Sequence, residues 1–366
     1  MKLSVSTALF KVPLFAIGVA VLCLATSFAL TDPAPTTLPR RTWRLLQDIA
    51  ALPSSPATDL PADLPSAPPE FVPYPPVTYV PVVNVEGARE HVQDECYVVG
   101  VELNGESRAY PLNMLSRPDQ HVLNDILGGQ PIAVTWCGLC QSPLVYARRV
   151  EGHTLTFYVA GYLYGENMVI KDMETGSNWP QMAGEALDGP LTGKSLDRMP
   201  MVWTDWKSWR TDHPETTLAK LTQTVDYYRH DSEPAGLAFQ TRLFSNFQWG
   251  FVRQGKALSW PLKEFASLPA VNDTFEGLPL VVVYDSRSVT IAAFERRLGD
   301  TELTFHWGAE GLVDDQTSSV WDPVTGRAIR GKLTDRRLTP VAGIVSHIRA
   351  WRSLHPETEV RVAHKG

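Results

Sequence analysis

The chain has 366 residues and a formal net charge of −7, and 44% of its residues are hydrophobic. This length and hydrophobic content suffice for one large core or two ordinary ones. The acidic balance, without a basic stripe or a base-stacking motif, argues against a nucleic-acid partner. With 4 cysteines the chain is also unlike a small secreted scaffold held together by disulfides.

The N-terminal segment is typical of a secretory leader. Residues 12–30 are largely apolar, Lys2 and Lys11 precede them, and Ser27-Phe28-Ala29 has small residues where a signal peptidase requires them. We expect residues 1–29 to be a signal peptide and the mature chain to be exported to the periplasm or cell envelope. The apolar run is also long enough for an uncleaved anchor, which would tether the protein to a membrane through residues 12–30.

Residues 30–81 are rich in proline, so they predict an extended tether or a strap that lies on the folded body. The folded body is expected to begin near Thr78. Cys96 opens a strand-like run of β-branched residues, where we interpret it as a small apolar side chain.

The segment 131–143 contains a Cys-x-x-Cys motif in an unusual setting. A β-branched run, 132–135, leads to Trp136, and Cys137 and Cys140 follow around Gly138. A second strand-like run begins at Leu144, which predicts that the dithiol lies at the turn between two strands. In thioredoxin-like sites the first cysteine opens a helix, so the strand-like run here argues against a thioredoxin fold.

The body of the chain repeats itself. Asn124-Asp125 is matched by Asn272-Asp273 at a spacing of 148 residues, and Trp179 is matched by Trp321 at a spacing of 142. The sequence therefore predicts a first repeat unit over 82–221, a linker over 222–248 and a second unit over 249–366.

Short strand patterns dominate both units, so we predict a mainly β fold, a β-rich α+β architecture of two tandem homologous units. Each unit has one helical pattern near its C-terminal end, Trp203–Asp212 in the first and Ala342–Leu354 in the second. Both helices end at a His-Pro-Glu-Thr sequence, and the Asn-Asp pairs are expected in turns.

The second unit lacks four distinctive features of the first. It has Tyr284-Asp-Ser-Arg-Ser288 where the first has Trp136-Cys-Gly-Leu-Cys140, and its loop opposite residues 160–168 is six residues shorter. Pro323 replaces Gln181, and Pro269 replaces His121. Features found in only one copy are candidates for function, so we expect them to meet in one pocket of the first unit, with the second unit as a degenerate buttress.

The candidate catalytic residues are Cys137 and Cys140. The candidate pocket residues share the first unit's distinctive segments and their flanks: Trp136, Gly161, Tyr162, Tyr164, Asn167, Asp172, Trp179, Gln181 and His121.

Several of these segments resemble one protein family. Gly-Val-Glu-Leu-Asn-Gly-Glu-Ser-Arg-Ala-Tyr-Pro-Leu at 100–112, Val134-Thr-Trp-Cys-Gly-Leu-Cys140 and Trp179-Pro-Gln181 are similar to the family called domain of unknown function 3179. The resemblance spans about residues 85–365. It implies a duplicated domain whose first half carries the cysteine pair, and some relatives described as selenoproteins imply redox chemistry at a sulfur position. This chain departs from the family at Ala160, where relatives usually have serine.

Three hypotheses for the cysteine pair remain open. The first is a redox-active dithiol without a cofactor, a thiol-based oxidoreductase that exchanges with a small molecule or a protein thiol or disulfide. The second is a soft-metal site for Cu(I), in which Met168, Met182 and His121 would join the two cysteines. The third is a non-enzymatic envelope binding or scaffold protein with a static disulfide.

Overall fold

The computed structural model describes residues 74–222, 228–229, 245–266, 268–285 and 288–362. The predicted signal peptide, most of the predicted tether and most of the predicted linker lie outside the described residues. Within the described part of the chain, no helix is long and apolar enough to cross a membrane.

The first unit is built mainly from short strands. Its strands are β1 (Val82–Asn84), β2 (Tyr97–Leu103), β3 (Glu106–Pro111), β4 (Val122–Leu127), β5 (Gln130–Cys137), β6 (Ser142–Ala147), β7 (Arg149–Val150), β8 (His153–Thr154), β9 (Phe157–Tyr164), β10 (Asn167–Asp172), β11 (Asn178–Pro180), β12 (Val202–Asp205) and β13 (Thr217–Ala219). Its helices are α1 (Val85–Ala88), α2 (Leu112–Leu115), a 3₁₀ turn (Pro118–Gln120) and α3 (Trp206–Asp212).

The second unit repeats this order. Its strands are β14 (Phe247–Arg253), β15 (Lys256–Pro261), β16 (Ala270–Phe275), β17 (Leu278–Asp285), β18 (Thr290–Glu295), β19 (Arg297–Leu298), β20 (Thr301–Glu302), β21 (Phe305–Gly308), β22 (Gly311–Asp314), β23 (Val320–Trp321), β24 (Ala328–Arg330), β25 (Ile344–His347) and β26 (Glu359–Val360). A 3₁₀ helix (Leu262–Ala266) follows β15, and α4 (Ile348–Leu354) corresponds to α3.

The predicted mainly β fold with two tandem units is confirmed. The helix boundaries differ from the prediction, because Trp203–Asp205 lies in β12 and the second helix begins only at Ile348. The Asn-Asp pairs lie inside β4 and β16 rather than in turns. The Asn124 side chain bonds the backbone of Phe157 in both directions, at 2.8 Å each, so it links two strands instead of closing a turn.

The sheets are shared between the two units. One eight-stranded sheet has the order β1-β13-β3-β2-β12-β18-β17-β16, so the first unit's β12 continues into the second unit's β18 through the pair Trp203 and Ile291. Four strands of the second unit form another sheet, in the order β25-β14-β15-β26. Its edge strand β25 lies beside the first unit's β6. Pro143 in β6 is the residue equivalent to Ile291 in β18, and a proline has no N–H to donate. Strands β6 and β25 form no continuous ladder of hydrogen bonds.

A central core lies among these two sheets and the three-stranded sheet β4-β5-β6, and it draws on both units. Val99, Trp136 and Trp203 from the first unit pack with Trp249 and Val282 from the second. Strand patterns explain this arrangement, because alternate side chains of each strand point to opposite faces of its sheet. Fully burying one large apolar side chain stabilises the folded state by about 2 kcal/mol. Because the side chains of the central core come from both units, their burial stabilises the two units together.

The helix α3 is set by local signals at both ends. The Asp205 carboxylate accepts a hydrogen bond from the Ser208 N–H at 2.6 Å and caps its start. The helix ends at His213, which precedes a proline and stacks on Trp209 with ring centroids 3.8 Å apart. His213 thus has a packing role.

Candidate functional site

Strand β5 carries the cysteine motif to the turn between β5 and β6. Along this strand Trp136 points into the central core, where its ring meets Trp203 and Tyr228 edge-on. Cys137, the next residue, points to the opposite face and joins a second apolar cluster. Trp136 was expected to shape the pocket, but strand alternation puts its side chain on the other side of the sheet.

Cys137 and Cys140 form a disulfide, and neither side chain is exposed to solvent. The turn brings the Cys140 N–H to within 3.2 Å of Cys137 Sγ, so the first sulfur accepts a backbone hydrogen bond. The turn closes at Gln141, which has a left-handed backbone (φ 48°) that non-glycine residues rarely adopt.

Asn167 holds the second sulfur. Its Nδ2 donates to Cys140 Sγ at 3.2 Å, while its Oδ1 accepts the Met182 N–H at 2.7 Å. Because the Met182 donor requires an oxygen opposite it, the amide orientation is fixed and the NH₂ group faces the sulfur. Both sulfurs therefore receive an N–H donor.

A buried polar network continues from Asn167 beneath the turn. Gln181 Oε1 accepts from Asn167 Nδ2 at 3.2 Å and from Ser142 Oγ at 3.2 Å. Gln181 Nε2 donates to Thr135 Oγ1 at 3.0 Å and to Ser142 O at 3.0 Å. Each of these side chains is fully buried, so the network is satisfied internally and holds the site rigidly.

His121 lies on the other side of the turn. Its Nδ1 is 2.8 Å from Leu115 O, which makes Nδ1 the protonated nitrogen of a neutral ring. Burial lowers the His121 pKa to about 4, so the ring stays neutral at physiological pH. Its Nε2 faces Gly138 at 3.3 Å from the position a Cβ would take, which leaves little room for a larger residue in the turn.

The enlarged loop predicted in the first unit is a lengthened β-hairpin. Strands β9 and β10 pair outward as far as Tyr164 and Asn167, whereas the corresponding strands β21 and β22 end at Gly308 and Gly311. The extension is the part that carries Asn167 to the sulfur. The enlarged loop thus lies beside the disulfide and Gln181, but the residues that meet there form a fully buried, packed cluster and not the lining of an open pocket.

The second unit closes over this site. The His347 N–H donates to Cys140 O at 2.9 Å, and Trp351 packs in the same apolar cluster as both cysteines. Arg349 forms an ion pair with Glu166 at 2.8 Å, and Ser353 donates a short hydrogen bond to Gly165 O. We call the hairpin tip, residues 163–166, together with α4 the cap.

The other expected pocket residues divide into two groups. Met168 and Met182 are buried in the cluster that holds the cysteines. Asp172 instead accepts hydrogen bonds from Trp179 Nε1 at 3.0 Å and from the Thr175 N–H at 2.6 Å, away from the sulfurs. The pair Asp314 and Trp321 repeats that bond in the second unit, which indicates a structural role.

Gly161, Tyr162 and Tyr164 lie on β9, and among the described residues no hydrogen bond joins them to either sulfur. Burial, with Asp188 nearby, raises the pKa of Tyr162 to about 12. For the Cu(I) hypothesis, the described residues contain no group of three or more His, Cys, Asp or Glu side chains placed to hold a metal ion. That search does not count methionine sulfurs.

Sequence reasoning missed the contributions of Thr135, Ser142 and the cap helix α4. The two hydroxyl residues carried a weak signal, since each is a polar residue within an apolar strand pattern. The α4 contacts carried none, because the exchange of strands between units depends on tertiary pairing.

Comparison with known proteins adds a family assignment. A family profile described as Protein of unknown function (DUF3179) matches residues 73–239 and 249–366. The chain belongs to the DUF3179 family. The resemblance inferred from the cysteine motif and its flanking segments is thus confirmed, and the two matched regions follow the duplication.

Neither the comparison with curated proteins nor that with solved structures gives a match for this DUF3179 protein. The family description names no reaction, so its chemistry has to be argued from the site itself.

Proposed function

We propose that this DUF3179 protein is an exported thiol-based oxidoreductase whose redox group is the Cys137–Cys140 pair. The observation that carries the proposal is the pair of N–H donors aimed at the sulfurs, from the Cys140 backbone and from the Asn167 amide. A hydrogen bond to a sulfur stabilises its thiolate form, which is the reactive form in disulfide exchange. Both donors belong to the one unit that has the cysteines.

We expect the two cysteines to have different roles after reduction, because their surroundings differ. Cys140 Sγ lies 3.3 Å from Glu166 O, so a Cys140 thiol has an acceptor for its proton. Both sulfurs face an N–H donor, but the acceptor for a thiol proton lies beside Cys140, so the thiolate is favoured at Cys137. Cys137 is therefore the attacking sulfur, and Cys140 is the resolving one.

The reaction is a two-electron exchange. The Cys137 thiolate attacks a partner disulfide, forms a mixed disulfide and releases one partner thiolate. Cys140 then loses its proton, attacks Cys137 Sγ and releases the second partner thiolate, which leaves the Cys137–Cys140 disulfide and a reduced partner. The reverse sequence oxidises a partner dithiol.

A purely structural disulfide explains the site less well. A bond between cysteines three residues apart closes a very short loop, and it stabilises the folded state by only about 2 kcal/mol in the chain-entropy description. The adjoining network of Asn167 and Gln181 also has no counterpart in the second unit, whose equivalent turn folds without sulfur.

Access to the sulfurs requires movement of the cap, since both cysteines have zero exposure. Within the cap, an exposed ion pair and one hydroxyl bond join α4 to the hairpin tip, and such an ion pair is a weak contact compared with the packing of Trp351 in the cluster below. Export of the chain, which the leader at residues 1–29 predicts, would expose the pair to a compartment where disulfides persist.

The test is a redox titration of the folded chain with thiol counting. We expect the wild type to gain two reactive thiols in a single two-electron transition, and Cys137→Ser and Cys140→Ser to abolish that transition. Cys96→Ser is the matched control, because Cys96 is buried elsewhere at 3% exposure and lies outside the disulfide. A disulfide that stays oxidised in the folded chain over the physiological range of thiol buffers would contradict the proposal.

One observation favours a second candidate, a Cu(I) site formed by the reduced pair. Met168 and Met182 lie in the same buried cluster as both cysteines, and thiolate and thioether sulfurs are ligands that Cu(I) prefers. Metal analysis of reduced protein, with Met182→Leu as a comparison, distinguishes this from exchange chemistry, which needs no metal.

A further inference from the structure

The eight-stranded sheet meets the sheets β4-β5-β6 and β25-β14-β15-β26 along two seams that the duplication relates to each other. The first seam lies between β4 and β13, and residues 74–81, which we call the strap, close it. Val77 bridges Leu123 in parallel, and Lys220 donates to Pro81 O at 2.7 Å. The strap then continues as β1, which pairs with β13.

The second seam lies between β16 and β26, the edge strands at the corresponding positions. A groove of about 510 Å³ occupies it. Its walls are largely apolar and aromatic, formed by Trp260, Leu268, Pro269, Ala270, Val271, Asn272, Phe305, His306, Trp307 and Val362. Among the described residues, no strand pairs with the outer edge of β16.

The groove keeps the hydrogen-bonding groups that hold the strap at the first seam. There, the Asn124 N–H donates to Val77 O at 2.8 Å and Asn124 Nδ2 donates to the same oxygen at 3.1 Å. Asn272 is the equivalent residue and has the same register, opposite Val281 as Asn124 is opposite Ala133. Its backbone N–H therefore points into the groove.

The Asn272 side chain also keeps its internal bonds to Phe305, at 2.7 and 2.8 Å, so it is held in the same orientation as Asn124. The covered Asn124 is 2% exposed, whereas Asn272 is partly exposed. Leu268 and Val362 at the groove are 37% and 53% exposed. The groove thus offers donors for a carbonyl and apolar surface for an added extended segment.

The sequence contains a second segment with the pattern of the strap. The strap reads Pro75-Pro-Val-Thr-Tyr-Val-Pro81, and Pro68-Pro-Glu-Phe-Val-Pro73 also starts with two prolines and ends in aromatic-Val-Pro. Proline-rich segments are pre-extended and bind to aromatic grooves with little loss of conformational entropy.

We propose that the groove binds the Pro68–Pro73 segment of a second copy of this chain as an added strand. Reach favours a second copy over the same molecule's segment. Val72 is five residues from Val77, which lies at the first seam. Five fully extended residues span roughly 17 Å. The edge strands β1 and β16 are separated by seven strand spacings of about 4.8 Å, or roughly 34 Å along the sheet.

The test measures the mass of the full chain in solution against concentration. Wild-type chain should self-associate, and Leu268→Glu with Val362→Glu should weaken that association at least about tenfold, because a carboxylate in the groove must lose its hydration. Phe71→Asp with Val72→Asp should weaken it equally. Ile329→Glu, at an apolar residue of the same unit that is 50% exposed and lies outside the groove, should leave it unchanged.

A mixing experiment makes the assignment specific. The groove variant keeps an intact segment and the segment variant keeps an intact groove, so the two together should form a one-to-one dimer and nothing larger. A monomeric wild-type chain, association that survives either pair of substitutions, or a mixture that stays monomeric would overturn the proposal. A disulfide between cysteines placed at 71 and 268 that forms within one molecule would overturn it as well.

Discussion

The segments 137–140 and 285–288 occupy equivalent positions in the two units, yet only the first has cysteines, and these form a disulfide. In the second unit, Ser288 Oγ is 2.6 Å from Thr290 Oγ1, which lies 2.7 Å from Thr204 Oγ1. Short hydroxyl contacts there replace a disulfide. The strand pairing on either side is the same in both units.

The comparison separates what the fold needs from what it does not. Both turns are followed by a left-handed residue, Gln141 with φ 48° and Val289 with φ 54°. A β-branched valine is costly in that conformation, so the geometry of the turn is imposed by the fold. The fold does not require the disulfide, because the second unit keeps the same backbone conformation without cysteines. The disulfide therefore favours a chemical role over a structural one.

The C-terminal helices of the two units, α3 and α4, differ in the chemistry of the contacts at their ends. The first unit's α3 brings Asp212 to Asp322. The equivalent residues are Leu354, which packs against the apolar cluster that contains the cysteines, and Pro180. The contact between the first unit's helix and the second unit is thus acidic, whereas the equivalent positions on the side of the disulfide are apolar.

The largest effect should come from a feature that both units share. Gly100→Ala would place a Cβ 2.2 Å from Trp209, and Gly250→Ala would place one 2.6 Å from Trp351. We expect each to lower the free energy of unfolding by about 3 kcal/mol through overpacking. Chemical denaturation measures this, with Gly308→Ala as a near-neutral control whose nearest neighbour is 3.4 Å away. Unequal losses at the two glycines would break the equivalence of the units.

Removal of the N–H donor to Cys140 Sγ should change the redox equilibrium of the disulfide. Asn167→Ala removes the hydrogen bond to Cys140 Sγ, which destabilises the reduced state by about 1.4 kcal/mol and lowers the reduction potential by about 30 mV. Equilibration with thiol buffers gives this potential. Asn178→Ala, which removes an amide bonded to Asp188 instead, is the control, and an equal shift in both variants would contradict the assigned role.

The acidic contact over the second unit should make stability depend on pH. Burial, with Asp322 close by, raises the pKa of Asp212 to about 7, above its usual value in an unfolded chain. The folded state then binds the proton more tightly, so this contribution to stability is complete below about pH 4 and is lost as the pH rises through 7. Thermal melting of Asp322→Asn should show a weaker loss across that range, whereas an unchanged pH slope would exclude the contact as its source.

The smallest stability effect is expected at the cap. Arg349→Ala breaks an ion pair whose side chains are 55% and 35% exposed, so the free energy of unfolding should change by less than about 1 kcal/mol. The rate at which a small thiol reduces the disulfide should still rise about two- to fivefold. Arg330→Ala, which breaks the exposed pair with Glu310 in the second unit, should leave that rate unchanged.

Much of this organisation could be predicted from the sequence, because repeated spacing and strand patterns are local signals. The grouping of Cys140, Asn167 and Gln181 followed from comparing the two copies. The placement of Trp136 follows from strand alternation, which puts it on the face opposite Cys137, whereas proximity in the chain wrongly predicts it beside the sulfurs. The contacts of Arg349 and Trp351 with the site could not be predicted, since nothing local specifies which unit supplies a neighbouring strand.

The pairing of β12 with β18 has a consequence for how such a chain originates and unfolds. A polypeptide with only one unit would leave both of its sheets incomplete, and it could complete them by exchanging strands with an identical molecule about a two-fold axis. The present chain corresponds to such a pair joined end to end. Its two units should therefore unfold in one cooperative thermal transition. If the units are expressed as separate polypeptides, they should fold only when they are mixed.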